Sequence, residues 1–452
     1  MIKRILRILF LVILTVAILA LLAVTISVAP IDRTPVSQLK IYDEMMRRLD
    51  SIPDETVTSF NTGFRVGYSR VNFTPSFPTA TAGYGKRRGK PFTTVHDSVF
   101  VRTMVISNGV QTVAIVSADL LIIPPTVTAL LKNKLPEIGF SLDNTYLGAT
   151  HSHNSVGNWG EGITTFLYGS YEDSVVNLIS GAILKSIQQA SSAMLPATLR
   201  TGLISIPQAV ENRMIDGGPE DPFFRVLEAE RSDSSKLLFS SFTAHATCLY
   251  SRDLELSRDY PGKLVDIFEA QGYNFAMFMA GAVGSHGCTP EKFGWDCIDW
   301  MAENLSERFL RERQQLTKID DSTLKMERVE LLLPEPQAKI SENWKIRSWV
   351  FRKAFGEYPA DLTALRIGSL VMLGTPCDFS GEFDHSLDSI GGRVNTTVMV
   401  TSFNGGYIGY VTPARYYDVD HYETRLMNWY PPGNGEYISL CLGKLILRSM
   451  DR

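Results

Sequence analysis

An uncharged stretch at the amino terminus constrains this chain more than any other feature. Residues 8–31 are mostly Leu, Ile, Val and Ala, and they follow the basic residues Lys3, Arg4 and Arg7. About 20 apolar residues span a bilayer core as a helix, and a basic flank stays cytoplasmic. We therefore predict a membrane anchor over residues 1–31, with the rest of the chain on the extracytoplasmic side, periplasmic or extracellular. A cleaved signal peptide is the alternative, although its apolar region usually has only about 7–15 residues.

The composition of the remaining chain is that of an ordinary globular protein. Of the 452 residues, 44% are apolar and 20% are charged, with a formal net charge of −4. No basic stripe interleaved with aromatic residues occurs, so nucleic acid is not an expected partner. The five cysteines form no CxxC pair, and their odd number leaves at least one thiol free within a single chain. Spacing alone leaves a Cys288–Cys297 bridge open.

The pattern of apolar residues predicts an α/β fold with mixed β-sheets flanked by helices. Residues 32–62 are polar and are interpreted as a stalk or linker, and short β-like runs begin after residue 63. Strand and helix patterns then alternate, and the tail from about residue 324 is mainly strands. Since no repeat or hinge interrupts the pattern, residues 63–452 are predicted to form one large domain. Helices are expected at about 126–135, 172–190, 259–271 and 297–314.

A pair of histidines follows one of the predicted strands. His151 and His153 stand in the sequence ATHSHN, after the apolar run 145–148. At a strand end, residues i and i+2 project from the same face, so both imidazoles can point at one ion. Pairs of this kind also occur on surfaces and in cores, so the spacing alone does not decide between a metal site and a structural pair.

Three further features are ambiguous when each is taken alone. His245 ends another predicted strand, where a lone histidine is more often a core residue than a ligand. Asp378 follows an apolar strand and a Thr-Pro turn, a position that suits a functional carboxylate but also a simple turn residue. The run 403–413 combines glycines with aromatic residues, and such glycines let a backbone approach a ligand closely.

Together and in this order, these features resemble the neutral/alkaline (non-lysosomal) ceramidase family, in its N-terminal catalytic domain. The resemblance extends over about residues 63–442, and ATHSH is similar to the family's ATHTHSGP segment. The other segments that carry it are 67–75 (GYSRVNFTP), 82–84 (AGY), 96–97 (HD), 116–120 (VSADL), 212–213 (NR), 404–412 and 422–423 (YE).

The resemblance implies a zinc-dependent amidohydrolase that hydrolyses the N-acyl amide bond of ceramide or a ceramide-like lipid to a fatty acid and a sphingoid base. It implies that Zn²⁺ is held by His151, His245, Asp378 and Tyr410. It also assigns catalytic roles to His153, Ser285 and Tyr422, and contact with the polar head of the substrate to Arg213. A lipid substrate and the membrane would then be the partners of the chain, while its oligomeric state stays open.

Two departures from the family pattern leave alternatives open. Asp378 stands where the family usually has Glu as a zinc ligand, and its side chain is shorter. The family's GDVSPN loop reads GAVGSH here, so that Gly284 occupies the serine position and Ser285 would replace the serine only by a shift in register. The chain is therefore either a ceramidase, an amidase of the same scaffold acting on another N-acyl lipid, or a catalytically weak lipid-binding homologue.

Overall fold

The α-helices of the chain are separated by strands for most of its length. In this computed structural model, residues 2–53, 63–288, 292–357 and 360–450 are described. The α-helices are α1 (Ile2–Ser27), α2 (Lys40–Asp50), α3 (Pro125–Lys134), α4 (Thr165–Tyr168), α5 (Asp173–Ser192), α6 (Asp259–Ala270), α7 (Trp295–Glu312), α8 (Ser348–Phe355), α9 (Asp384–Arg393) and α10 (Asn434–Met450).

The strands begin directly after α1. They are β1 (Val28–Pro30), β2 (Phe64–Asn72), β3 (Thr81–Ala82), β4 (Thr94–Val95), β5 (Phe100–Ser107), β6 (Thr112–Ala118), β7 (Thr145–Ala149), β8 (Ser155–Val156), β9 (Leu195–Ser205), β10 (Glu211–Asn212), β11 (Phe223–Arg231), β12 (Lys236–Phe242), β13 (Glu255–Leu256), β14 (Phe275–Ala280), β15 (His286–Gly287), β16 (Thr317–Lys318), β17 (Leu324–Glu330), β18 (Trp344–Ile346), β19 (Asp361–Ile367), β20 (Leu370–Thr375), β21 (Asp378–Phe379), β22 (Thr397–Ser402) and β23 (Tyr410–Val411).

Two mixed sheets form the centre of the molecule. The larger has the order β14-β12-β11-β9-β2-β5-β6-β7, with β16 also paired to β9, and the smaller has the order β17-β19-β20-β22. Strand pairs β12–β14, β6–β7 and β20–β22 are parallel, whereas the other neighbours in these two sheets are antiparallel. The predicted α/β class with mixed sheets is confirmed.

The two sheets pack face to face and are covered by helices on their outer faces. In β5, Val101 and Val105 contact the layer of α3 and α5, whereas Met104 and Ile106 lie in the core between the sheets. This alternation follows from the two-residue period of a strand, and it makes both faces of the large sheet apolar. Helices α6 and α7 cover another part of the large sheet, and α9 and α10 cover the small one. The order of layers is therefore helix, sheet, sheet, helix.

The segment after α1 lies against this body. Val36, Met45 and Leu49 are fully buried in the core beneath α10. Lys444 of α10 also forms an ion pair with Asp50 across 2.6 Å. The described part of segment 32–62, predicted as a stalk or linker, thus packs as part of the folded body, because its apolar helix face is covered by α10. Residues 54–62 of that segment lie outside the described residues.

Helix α1 is long and apolar enough to cross a membrane, a property that a signal sequence near the amino terminus would share. None of its described residues is buried against the body. The helices predicted at about 126–135, 172–190, 259–271 and 297–314 correspond to α3, α5, α6 and α7 to within a few residues.

The disulfide considered from spacing alone is not the one that forms. Cys297, in the first turn of α7, is bonded to Cys248, and Cys288 keeps a free thiol whose Sγ lies 3.7 Å from Sγ of Cys248. The backbone explains this pairing, because Gly294 N donates to Cys248 O and so brings the start of α7 to that loop. The Cys288–Cys297 bridge is therefore replaced by a pairing between residues farther apart in the sequence.

Candidate metal centre

Three imidazole rings converge on one point inside the protein. The Nε2 atoms of His151 and His245 lie 2.8 Å apart, and Nε2 of His153 lies 3.2 Å from the first and 3.0 Å from the second. All three side chains are buried. The turn after β7 brings His151 and His153 together, and the loop that follows β12 supplies His245. The convergence expected from the HxH spacing is present, but it arises in a turn and not in the strand itself.

Backbone carbonyl oxygens orient two of these rings. Nδ1 of His151 lies 2.6 Å from Leu121 O, and Nδ1 of His245 lies 3.3 Å from Val283 O. Because a carbonyl oxygen only accepts, each Nδ1 donates its proton to the carbonyl, and in a neutral ring this leaves the lone pair on Nε2. Burial, followed by the nearby Arg213 guanidinium, holds the pKa of His245 well below its usual range, so this ring stays neutral at neutral pH.

The ring of His153 is held differently. Its buried Nδ1 lacks a hydrogen bond of ordinary geometry, although the backbone of Gly83 lies close to it. Burial lowers the pKa of His153 well below the usual value, and the neighbouring His151 lowers it further. A Cβ atom at Gly83, whose φ is +125°, would lie only 2.5 Å from His153 Cα, so only glycine allows this approach. The AGY segment therefore packs directly against His153.

Asp378 and Tyr410 lie beside the three imidazoles. Oδ1 of Asp378 lies 3.4 Å from His151 Nε2 and 4.0 Å from His245 Nε2, and Oη of Tyr410 lies 3.5 Å from His245 Nε2. Strands β21 and β23 pair in parallel with Asp378 opposite Tyr410, so backbone pairing sets the separation of the two side chains. All four predicted ligands are thus brought together.

The residues present fit a zinc ion. Tetrahedral zinc with Zn–N bonds of about 2.0–2.1 Å requires nitrogen atoms about 3.3 Å apart, within about half an ångström of the distances in this protein. The buried Oδ1 of Asp378 has no hydrogen-bond partner among the described residues, and it faces two Nε2 atoms that lie 2.8 Å apart, an arrangement that a bound cation would stabilise. Neutral imidazole, carboxylate and phenol oxygen are also the donor types that suit zinc.

Arg213 is held beside this centre by the loop that carries Ser285. Strands β10 and β15 pair Asn212 with His286, and Arg213 N donates to Ser285 O across 3.0 Å. The Arg213 guanidinium then donates to Tyr410 Oη at 3.0 Å and forms an ion pair with Glu423 at 3.0 Å. A fixed positive charge therefore lies next to the phenol oxygen.

A cavity of about 1060 Å³ opens from the centre. His153, His245, Arg213 and Tyr410 line its base. Its walls are apolar and include Phe351 and Phe355 of α8, Trp429, Leu331, Leu333 and Ile408. The rings of Phe351 and Trp429 lie 5.3 Å apart, and that of Trp429 lies 5.8 Å from Tyr407. An apolar path thus connects α8 with the polar base.

Two residues given catalytic roles by the resemblance differ in their placement. Tyr422 lines the cavity in a π-helical turn, Tyr422–Leu426, with its ring 5.8 Å from that of Tyr410. Ser285 is fully buried, its Oγ lies 2.7 Å from Ser380 Oγ and 3.0 Å from His286 Nδ1, and it is not among the described residues that line the cavity. Tyr422 is therefore beside the candidate centre, whereas the Ser285 hydroxyl is hydrogen-bonded to Ser380 and His286 away from the cavity lining.

The backbone explains why Gly284 cannot be replaced by a serine without a rearrangement. A Cβ atom at Gly284 would lie 2.3 Å from Asp378 O, and Gly284 N already donates to Phe379 O at 2.7 Å. The loop thus packs tightly against the strand that carries the carboxylate. His286, in the same loop, accepts a hydrogen bond from Asp221 N and belongs to the structural support of the site.

Three residues contribute to the site although the sequence patterns did not indicate them individually. Tyr407 Oη donates to Asp378 Oδ2 at 2.7 Å, and Phe403, with φ of 69°, stacks on His151 at 4.1 Å. Both belong to the glycine-rich aromatic run, which was the available signal. Arg87 is buried beneath the turn after β7 and donates to His153 O and Asn154 Oδ1. The only signal for Arg87 in the sequence was that it lies three residues after the AGY segment.

Comparisons with known proteins bear on the family and the fold of this chain. The sequence model of the neutral/alkaline non-lysosomal ceramidase family, N-terminal part, matches residues 64–223. A crystal structure of neutral ceramidase from Pseudomonas aeruginosa has a TM-score of 0.76 at 18% identity, with 86% of this chain and 75% of that chain covered. A structure described as ceramidase complexed with C2 has a TM-score of 0.72 at 17% identity with the same coverage. No curated protein sequence matches the chain.

The fold and site define a protein of two packed mixed sheets with a candidate metal centre beneath an apolar cavity. The family match confirms the resemblance to the neutral/alkaline ceramidases, and it includes the segment with His151 and His153. The structural likeness, at under 20% identity, extends the shared fold over most of the chain.

Proposed function

We propose that this chain is a zinc-dependent amidohydrolase that cleaves the N-acyl amide bond of ceramide or a ceramide-like lipid, giving a fatty acid and a sphingoid base. The observation that carries this proposal is the position of the candidate metal centre at the base of the apolar cavity. Long acyl chains require apolar walls, and amide hydrolysis requires an activated water and a proton donor. The apolar walls and the candidate metal centre of this one cavity support both roles.

The proposed metal ligands are His151, His245, Asp378 and Tyr410. Zinc bound there supplies Lewis acidity and makes water nucleophilic at neutral pH. Tyr407 holds Asp378 through Oδ2 and so leaves Oδ1 free to face the imidazoles. Burial raises the pKa of Tyr410 well above its usual value, and the carboxylate of Asp378 raises it further, so the phenol keeps its proton unless a cation is bound.

Residues around the candidate metal centre would orient the substrate amide and carry a proton from water to the leaving amine. The guanidinium of Arg213 and the phenol of Tyr422 line the cavity, where they suit the substrate's polar head and the developing oxyanion. His153 starts neutral, so its free nitrogen can take the proton from water and pass it to the leaving amine nitrogen. No cysteine or serine nucleophile is needed in this sequence of steps.

The variant His153→Gln tests the proton-transfer role. Glutamine keeps a polar side chain but cannot exchange a proton, so we expect kcat to fall by about 10²–10⁴-fold. The zinc content should stay near the wild-type value, because His151 and His245 alone have Nε2 lone pairs fixed by carbonyl contacts. If zinc is lost together with activity, His153 is a metal ligand and the proton donor must be sought elsewhere.

The variant Ser285→Ala tests the role assigned to the serine by resemblance. Direct participation predicts a fall in kcat of about 10²–10³-fold, the usual cost of one oxyanion donor. The contacts of Ser285 with Ser380 and His286 instead lead us to expect a change of less than about threefold and retained zinc. Steady-state kinetics with metal analysis decides, and a large fall in kcat with zinc retained would restore the catalytic assignment.

The substrate class is tested with the purified full chain and a panel of N-acylated lipids. Ceramide should be hydrolysed faster than N-acyl amino acids, and a chelator should abolish hydrolysis until zinc is restored. Preference for N-acyl amino acids would favour an amidase of the same scaffold acting on another lipid. Hydrolysis that survives complete removal of the metal would contradict the proposed chemistry.

A catalytically weak lipid-binding homologue is the remaining alternative, and Gly284 is the observation that favours it. The loop leaves no room for a serine side chain at this position, so any activity must proceed without that group. Binding of a fluorescent ceramide without turnover by the zinc-loaded chain would support this alternative.

We also propose that α1 anchors the chain in a membrane with the two-sheet body on the extracytoplasmic side, as Lys3, Arg4 and Arg7 suggest.

A further inference from the structure

The apolar helix is joined to the body without a spacer. Helix α1 ends at Ser27, and β1 follows at once, paired in antiparallel fashion with β18. Arg347 reinforces the junction, because its backbone N donates to Ser27 O at 2.9 Å and its side chain donates to Val28 O and Thr25 O. The end of the proposed anchor is therefore fixed to β18.

Strand β18 leads directly into a wall of the cavity. Arg347 alone separates β18 from α8, and Phe351 and Phe355 of α8 line the cavity. An eight-residue helix is only about 12 Å long, so the anchor end and the cavity wall are close in space as well as in sequence. A short, hydrogen-bonded connection thus runs from the helix that would enter the bilayer to the aromatic wall.

Three large apolar side chains on this connection are exposed. Ile340, Trp344 and Trp349 are 52%, 49% and 51% exposed, and we call them the tryptophan face. Ile340 N donates to Trp344 O, so the first two share one hairpin. Tryptophan is enriched at the level of the lipid headgroups, where its ring is half apolar and half hydrated. The side chains suit a membrane interface better than water.

The rim of the cavity carries exposed apolar residues as well. Tyr422 and Leu426 line the cavity and are 51% and 59% exposed. Phe166 and Ile163 are exposed next to the lining residues Thr164 and Leu167. The 3₁₀ turn Gly162–Thr164 packs against α8. Exposed apolar residues therefore occur both at the tryptophan face and among or beside the residues that line the cavity.

We propose that the tryptophan face rests on the lipid bilayer that holds α1, so that the cavity opens onto the membrane and receives its lipid from the bilayer without passage through water. The proposal rests on the membrane anchor and lipid substrate proposed above. The bilayer is the occupant that the structure favours, because the proposed anchor is paired through β1 with β18, which carries Trp344 and leads into the cavity wall of α8. Docking also restricts the enzyme's orientation, which raises the effective substrate concentration at the opening.

Contact with lipid is measured by quenching of tryptophan fluorescence. The full chain is reconstituted into phosphatidylcholine vesicles, with or without phosphatidylcholine brominated near the headgroup end of its acyl chains. We expect brominated lipid to quench a component of the emission that disappears in the double variant W344F/W349F. The matched control is W295F/W300F, which removes two tryptophans from α7, and here the quenched component should remain. Equal quenched components in wild type and W344F/W349F would overturn the proposal.

Hydrolysis gives a second and separate readout. In the full-chain variant W344S/W349S we expect the rate on ceramide in vesicles to fall roughly tenfold, the scale of losing an oriented docking contact while the anchor remains. The rate on ceramide in detergent micelles should stay within about twofold, because micelles deliver lipid without docking. Equal losses in both systems would contradict the proposal. If the wild type hydrolyses ceramide in neither system, the proposed substrate fails, and the quenching result still decides the docking proposal.

Discussion

Replacing His245 with alanine should remove zinc from the chain. The ring supplies one of the two Nε2 atoms whose rings are oriented by carbonyl contacts, and this atom lies 2.8 Å from Nε2 of His151. Loss of an outer partner of a ligand already costs 10–100-fold in metal affinity, so loss of the ligand itself should cost about 10³-fold or more. Activity should fall with the metal. His151→Ala should behave in the same way.

The measurement is zinc per chain after dialysis, by elemental analysis, together with a competition titration against a chromogenic chelator. His385→Ala is the matched control, because His385 is an exposed histidine of α9 outside the cluster. The control should keep the wild-type zinc content and activity. Full zinc content in His245→Ala, with circular dichroism showing a folded chain, would remove His245 from the site.

Replacing Arg87 with methionine should destabilise the protein by about 3–5 kcal/mol, since several buried acceptors would lose their donor at once. The side chain lies under the turn after β7 and donates to His153 O and Asn154 Oδ1. Its remaining hydrogen bonds go to the carbonyl oxygens of Tyr250, Ser251 and Asp253. Methionine fills a similar apolar volume but donates nothing.

Urea unfolding measures this effect as a lower midpoint with an unchanged m-value. The matched control is Arg88→Met, because Arg88 is the exposed neighbour of Arg87 and should tolerate the change within about 0.5 kcal/mol. We also expect weaker zinc binding in Arg87→Met, because the lost hydrogen bonds hold the turn that carries the proposed ligand His151 as well as His153. A variant as stable as Arg88→Met would show that the buried arginine is not a structural support of the turn.

Much of the architecture was predictable because it depends on local patterns. The apolar periodicity of residues 172–190 and 259–271 predicted α5 and α6, and the exposed helix α1 follows from the uncharged apolar stretch that begins at residue 8. The helix-sheet-sheet-helix layering did not follow from the pattern, because it depends on both faces of the large sheet being apolar. The packing of Val36 and Met45 under α10 could not be predicted either. The apolar pattern of a short amphipathic segment is the same whether the element that covers it is near or distant in sequence.

The candidate ligands were predictable as residue types, and their meeting was not. Residues 151, 245, 378 and 410 lie far apart in sequence, so only the order of motifs suggested that they converge. The supporting contacts had no such signal. Tyr407 reaches Asp378 through the parallel pairing of β21 and β23, which is a tertiary feature. The Cys248–Cys297 disulfide likewise depends on how α7 meets a loop from another part of the chain.

Anomalous diffraction at the zinc absorption edge, from crystals of the zinc-loaded protein, tests the central claim most directly. The account predicts one strong peak inside the cavity base, about 2.0–2.2 Å from Nε2 of His151, Nε2 of His245 and Oδ1 of Asp378. A folded protein with no peak among these atoms, or with the ion bound only at the surface, would contradict it.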